Sequence, residues 1–182
     1  DELANDEIND KWKRAPKSNA SNLRVLSVTV DGQDRENIEL VPVKASAGYM
    51  NGYSDPEYVA TLTKFSLPMF NQGTYRAFEI KGDSMRPLPS GSIIVAEYVE
   101  NWNEIKPGHT YVIVSKDEGV VYKRVAYKFK EDKGLKLVSD NKSYDPYWVE
   151  AGDIMEVWRA KAFISTTLPE PSNEPTMETL TS

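Results

Sequence analysis

The 182-residue chain contains no cysteine, so it forms no disulfide, uses no thiolate nucleophile and holds no cysteine-ligated zinc or iron–sulfur centre. Histidine is almost as scarce. The single one, His109, makes a multi-histidine metal site impossible and allows a Ser/His/Asp triad only if it is the base. No apolar run approaches the roughly 18 to 20 residues that cross a bilayer, and no charged, apolar, small-residue leader is expected at the start. No membrane partner is therefore expected, and a reducing cytoplasm is the expected location. Positive charge is in deficit as well: 22 basic residues face 28 acidic ones, for a net charge of -6, which argues against nucleic-acid binding through the bulk field. Much of the imbalance sits at the ends. Residues 1–10 carry five acids and no base, residues 11–17 add four bases, and residues 166–182 carry three acids and no base. The stretch between them is nearly neutral.

What is present reads as a globular domain. Hydrophobic residues make up 40% and charged residues 27%, with a mean hydropathy of -0.55, a balance that excludes collagenous and wholly disordered chains. Residues 1–22, with scattered Leu3, Ile8 and Trp12 followed by Ala15-Pro16-Lys17-Ser18-Asn19, read as a linker with room for one short helix. Residues 166–182 include Pro169, Pro171 and Pro175 among polar neighbours and are expected to be a disordered acidic tail. Residues 23–165 form the expected domain, and their pattern is mostly β. Leu23 to Val30 and Ile38 to Val43 read as two strands around the Asp31-Gly32 turn. Further strands are expected at Tyr75–Ile80, Ser92–Tyr98, Tyr111–Ser115, Val120–Phe129, Leu135–Val138 and Met155–Ile164. Asp55-Pro56-Glu57-Tyr58-Val59 places a cap and a first-turn proline at the start of a short helix. No internal repeat is visible, and no predicted helix is long enough for a helix-turn-helix.

Two places could carry chemistry. In Gly82-Asp83-Ser84-Met85-Arg86-Pro87 a serine leaves a strand into a turn bounded by glycine and proline. Such a turn can expose the hydroxyl while neighbouring N–H groups converge on one spot, although an ordinary turn has the same composition. In Gly119-Val120-Val121-Tyr122-Lys123-Arg124-Val125-Ala126, period-two alternation sets Lys123 beside Val121 and Val125, with Tyr122 and Arg124 on the other face. Desolvation there lowers a lysine pKa and makes the neutral amine a general base, which a serine hydroxyl needs before it becomes a nucleophile. A lysine snorkelling from an edge strand satisfies the same alternation.

Together the two places resemble the LexA-like self-cleaving peptidases, which include phage-type repressors and the UmuD mutagenesis proteins. The likeness covers roughly residues 41–163. The serine turn looks like the family's nucleophile motif, Gly91-Ser92-Ile93-Ile94-Val95 like the strand after it, and Val121-Tyr122-Lys123-Arg124-Val125 like its lysine strand. Leu137-Val138-Ser139-Asp140-Asn141-Lys142-Ser143-Tyr144 looks like the segment that follows. The resemblance implies a mostly β fold of twisted antiparallel sheets with few short helices, of the LexA and signal-peptidase kind. It implies Ser84 as nucleophile, Lys123 as base, and the backbone N–H groups of Ser84 and Met85 as oxyanion donors. It further implies self-cleavage at an Ala-Gly or Cys-Gly bond upstream of the serine, and Ala47-Gly48 lies 36 residues before Ser84; without that context the dipeptide reads as a flexible turn.

The same resemblance implies a homodimer, promotion of cleavage by the RecA filament in an SOS response, and no metal or organic cofactor. DNA contact by a repressor would need a helix-turn-helix region upstream of Asp1, a residue at which material is expected to have been removed. A UmuD-like protein lacks that region. Ser92 departs from the acidic residue that many relatives carry.

Two other functions share these residues. A non-cleaving dimerisation or effector-binding module keeps the fold without the chemistry, and a signal-peptidase-like enzyme acting in trans needs a membrane anchor. The remaining candidates read as ordinary structure: His109 in a solvated loop, Asp117, Glu118, Asp140 and Asp145 as turn and solubility residues, and Lys11, Lys13, Arg14 and Lys17 as a solvated linker. Trp12, Trp102, Trp148 and Trp158 read as core or interface material. The strand around Met155–Ile164, with Val157, Trp158, Ala160, Ala162 and Phe163, reads equally as dimer surface and as core.

Overall fold

Alternation and burial together explain the strands. The computed structural model describes residues 26–171, and in it β5 (Thr110–Ser115) turns Tyr111 and Ile113 into one buried cluster and Val112 and Val114 into another. A strand buried on both faces reads as a continuous apolar run, which is why Tyr111-Val112-Ile113-Val114 shows no polar alternation. β3 (Tyr75–Glu79) is likewise buried along nearly its whole length.

The remaining strands are β1 (Ile38–Val41), β2 (Thr63–Phe65), β4 (Ile93–Tyr98), β6 (Gly119–Val125), β7 (Leu135–Val138), β8 (Tyr147–Val149) and β9 (Ile154–Ile164). They form one sheet in the order β2-β1-β3-β4-β9-β5-β6-β7-β8. Every neighbouring pair is antiparallel except β1 with β3. Two short helices, α1 (Ser46–Gly52) and α2 (Pro56–Thr61), fill the connection from β1 to β2. The mostly β expectation is thus met.

That order has a geometric consequence. β3, whose end leads into the Ser84 turn, is four steps from β6, which carries Lys123; at the usual strand spacing a flat sheet would hold them about 19 Å apart. The sheet must curl to join them. Its long strand β9 supplies the means, because its pairing slips register against β4 between Val95 and Ala96 and against β5 between Val114 and Ser115, and such bulges bend and twist a sheet.

Several expected elements differ. Of the expected Leu23–Val30 strand, the described residues 26–30 form no strand and make only an isolated bridge from Val30 to Glu36. Two backbone bonds, Asp31 N–H to Arg35 C=O and Asn37 N–H to Thr29 C=O, close the hairpin, and side chains reinforce it. Thr29 donates through its N–H and Oγ1 to Glu39 Oε1 at 2.8 and 2.6 Å. The strand from Ile38 stops at Val41, since Pro42 has no N–H to donate and a 3-10 turn, Val43–Ala45, follows it. The run from Val120 ends at Val125 rather than Phe129. The α2 helix does form, with Asp55 accepting from Glu57 N–H as its cap. The linker reading of residues 1–22 lies outside the described residues, as does most of the tail.

Candidate active site

The turn after β3 is built to project a side chain. Gly82 takes φ 89°, a left-handed conformation that glycine adopts without steric cost, and its N–H donates to Ser90 Oγ at 2.9 Å. The turn's base is pinned by Gly91 N–H on Ile80 C=O at 2.8 Å, and Met85 inserts into the interior at 4% exposure. Ser84 thereby faces β6. Lys123 lies opposite Tyr111 in the β5–β6 ladder, is 9% exposed, and donates through Nζ to Ser84 Oγ at 2.6 Å. Burial lowers its pKa from the ordinary lysine value, opposed in part by the negative charge of Glu118. The cleft around the pair, about 160 Å³, is lined mainly by apolar side chains, among them Val43, Ile80, Leu88 and Val121.

A second segment braces the serine turn. After β7, Asn141 N–H donates to Ser84 C=O at 2.9 Å, and Asn141 Nδ2 donates to Asp83 C=O at 3.1 Å. Tyr144 OH donates to Asp83 Oδ1 at 2.6 Å, and Arg86 pairs with Asp83 Oδ2 at 2.6 Å. These partners, Tyr144 first, hold the Asp83 carboxyl below its ordinary pKa. The Tyr144 ring centroid stands 5.8 Å from Lys123 Nζ. Asp140, expected to serve only a turn, is instead gripped in two-pronged fashion by Arg124 Nε and Nη2 at 2.8 and 2.7 Å. Ser92 is buried and donates to Pro89 C=O at 2.7 Å.

Ala47 and Gly48 do not lie in a turn; both belong to α1. A second cluster holds that helix down. Tyr49 is fully buried, donates from its OH to Glu156 Oε2 at 2.5 Å, and accepts from Arg76 Nη1 at 2.7 Å. Arg76 also reaches Glu39 Oε2 at 3.3 Å, and Trp158 Nε1 donates to Glu156 Oε2 at 2.8 Å. Burial raises the pKa of both Tyr49 and Glu156. The sequence reading missed this cluster. The signal was available in Arg76 and Glu156, each a charge with apolar residues immediately on both sides in its strand.

Of the other candidates, Glu118 acts on Lys123 through its charge, and the rest stay apart from the pair. His109 is exposed, as are Asp117 and Asp145. Trp102 and Trp158 are core residues, but Trp148 is 41% exposed and stacks on Tyr127, so it is not core material. Lys11, Lys13, Arg14, Lys17 and Trp12 lie outside the described residues.

A curled β domain in which a serine turn meets a buried lysine from a distant strand is the class of molecule these observations define. The chain belongs to the Peptidase S24-like family, whose model matches residues 39–160; this is a serine peptidase family, that of LexA, UmuD and phage-repressor C-terminal domains. Among curated proteins none matches the chain. No helix among the described residues is long and apolar enough to cross a membrane.

Proposed function

We propose that this domain is a self-cleaving serine peptidase in which Lys123 activates Ser84 against the Ala47-Gly48 bond. The observation that carries the reading is the 2.6 Å contact between a buried lysine amine and a serine hydroxyl, with the amine's pKa lowered by its burial. Neutral Lys123 takes the hydroxyl proton as Ser84 Oγ attacks the Ala47 carbonyl carbon. The N–H groups of Ser84 and Met85 receive the developing oxyanion. Collapse of the tetrahedral species breaks the C–N bond, and the lysine ammonium returns its proton to the Gly48 nitrogen. Water, deprotonated by the same amine, then releases Ala47 from the acyl-serine. Tethering substrate to catalyst supplies a high effective concentration, so modest activation of the serine suffices.

Incubating the chain at alkaline pH should give fragments 1–47 and 48–182 by mass. Ser84→Ala and Lys123→Ala should each stay whole. By the family resemblance the surrounding role is that of a cytoplasmic transcriptional regulator that dimerises and answers a RecA filament, with DNA contact supplied by a region upstream.

One observation favours a second reading, a dimerisation or effector-binding module that does not cleave. Ala47 and Gly48 are helical, and a Cβ on Gly48 would stand 3.0 Å from Tyr58 Oη, so close packing accounts for the glycine without any cleavage. A wild type left intact over days at alkaline pH would select this reading.

A further inference from the structure

We propose that Asn141 is the positioning residue that aims the Ser84 and Met85 N–H groups at a single point; the inference rests on the Ser84/Lys123 reading above. In a planar trans peptide the C=O of one residue and the N–H of the next point in opposite directions. The N–H of Ser84 is therefore set by the C=O of Asp83, and the N–H of Met85 by the C=O of Ser84. Asn141 holds both of those carbonyls, the first through Nδ2 at 3.1 Å and the second through its own N–H at 2.9 Å. One residue thus fixes two successive peptide planes. Both N–H groups are directed away from Asn141, and among the described residues neither donates to a protein acceptor. Two adjacent, unpaired N–H groups beside the nucleophile have the form of an anion-binding nest.

Asn141 is itself fixed. Ser143 N–H donates to Asn141 Oδ1 at 3.0 Å, and Tyr144 N–H donates to Asn141 C=O at 3.2 Å. The amide orientation follows, because Oδ1 is committed as an acceptor and leaves Nδ2 toward Asp83. Aspartate at this position would keep the Ser143 contact, lose the donor to Asp83 C=O and set a carboxylate against Asp83 Oδ2, which Nδ2 approaches at 3.4 Å. Alanine would lose the Ser143 contact and the donor without adding that charge.

The experiment uses the full chain and two readouts. The first is the rate of self-cleavage against pH, read as a plateau and a midpoint. Asn141→Ala and Asn141→Asp should both lower the plateau roughly 10²–10³-fold, the cost of an oxyanion donor. The Asn141→Ala midpoint should stay at the wild-type value, since Lys123 is untouched. The second readout is the affinity for a short peptide boronic acid ending in boro-alanine. Ser84 Oγ adds to its boron, the hydroxyl proton passes to Lys123, and the tetrahedral anion fills the same pocket. Both variants should bind at least tenfold more weakly than wild type.

A plateau and a boronate affinity within about threefold of wild type in Asn141→Asp would overturn the proposal, because the asparagine would then serve only the turn. If Asn141→Ala fails to fold, Asn141→Asp carries the test. A wild type that binds the boronate without cutting itself sinks the self-cleavage reading and leaves the positioning test in force. A wild type that does neither sinks both.

Discussion

A lysine that shares its face with Val121 and Val125 costs the fold something whenever it is charged. Because burial lowers the pKa of Lys123 from 10.5, the unfolded chain binds more protons than the folded one between the lowered value and 10.5. Stability therefore rises with pH across that window, and the penalty is fully present below it. Lys123→Met keeps the stem's packing and removes the charge. It should be more stable than wild type in urea at neutral pH, with the advantage shrinking as pH climbs toward 10.5. A difference that stays flat from pH 7 to 10.5 would mean the amine is not perturbed. The same shift fixes the sign for catalysis: cleavage should accelerate with rising pH and level off once Lys123 is neutral.

Among the elements, α1 is the weakest helix by construction. It has seven residues, no side-chain cap, and glycine at positions 48 and 52, each costing roughly 1 kcal/mol relative to alanine. Packing holds it instead: a Cβ at Gly52 would stand 2.6 Å from Tyr58 Cγ, and Tyr49 is tied into the Arg76–Glu156 cluster. A peptidase needs its substrate extended, so cleavage at Ala47-Gly48 requires α1 to unwind and Tyr49 to withdraw. Tyr49→Phe leaves Arg76 Nη1 without its closest acceptor. It should lower stability by about 1–3 kcal/mol and, by easing the unwinding, raise the plateau rate of cleavage; a slower plateau with the fold intact would count against unwinding as the controlling step. This is also where the sequence was hardest to read. The central strands and the Ser84 and Lys123 positions were legible because alternation and turn residues are local signals. The helix at α1 was not, since two glycines in seven residues argue for a turn and only tertiary contacts overrule them. Short β2 and β8 were missed for a related reason. They lie at the two ends of the sheet order and take their form from one neighbour each.

At the scale of the whole molecule, the question is whether one chain can serve itself. Val43 lines the cleft and is moored by its N–H to Glu79 Oε2 at 2.9 Å, and Ala47 follows four residues later. Extended, four residues span at most about 14 Å, enough to carry the Ala47 carbonyl across a cleft of this size while Val43 stays in place. β6 offers a track. Its pairing with β7 involves only Arg124 and Val125, so among the described strands the side of Gly119–Lys123 that faces away from β5 has no partner. An unwound segment could pair there as an added strand, bringing its carbonyl toward Lys123 and Ser84. A tether this short leads to first-order cleavage, with a half-life unchanged over a hundredfold range of protein concentration. It also predicts that isotopically labelled Ser84→Ala chains mixed with wild type stay whole while the wild type is cut. Cutting of the labelled chains at a rate that grows with wild-type concentration would show that the bond reaches a neighbour's serine, and the curled sheet would then be a docking site for another molecule's segment rather than for its own.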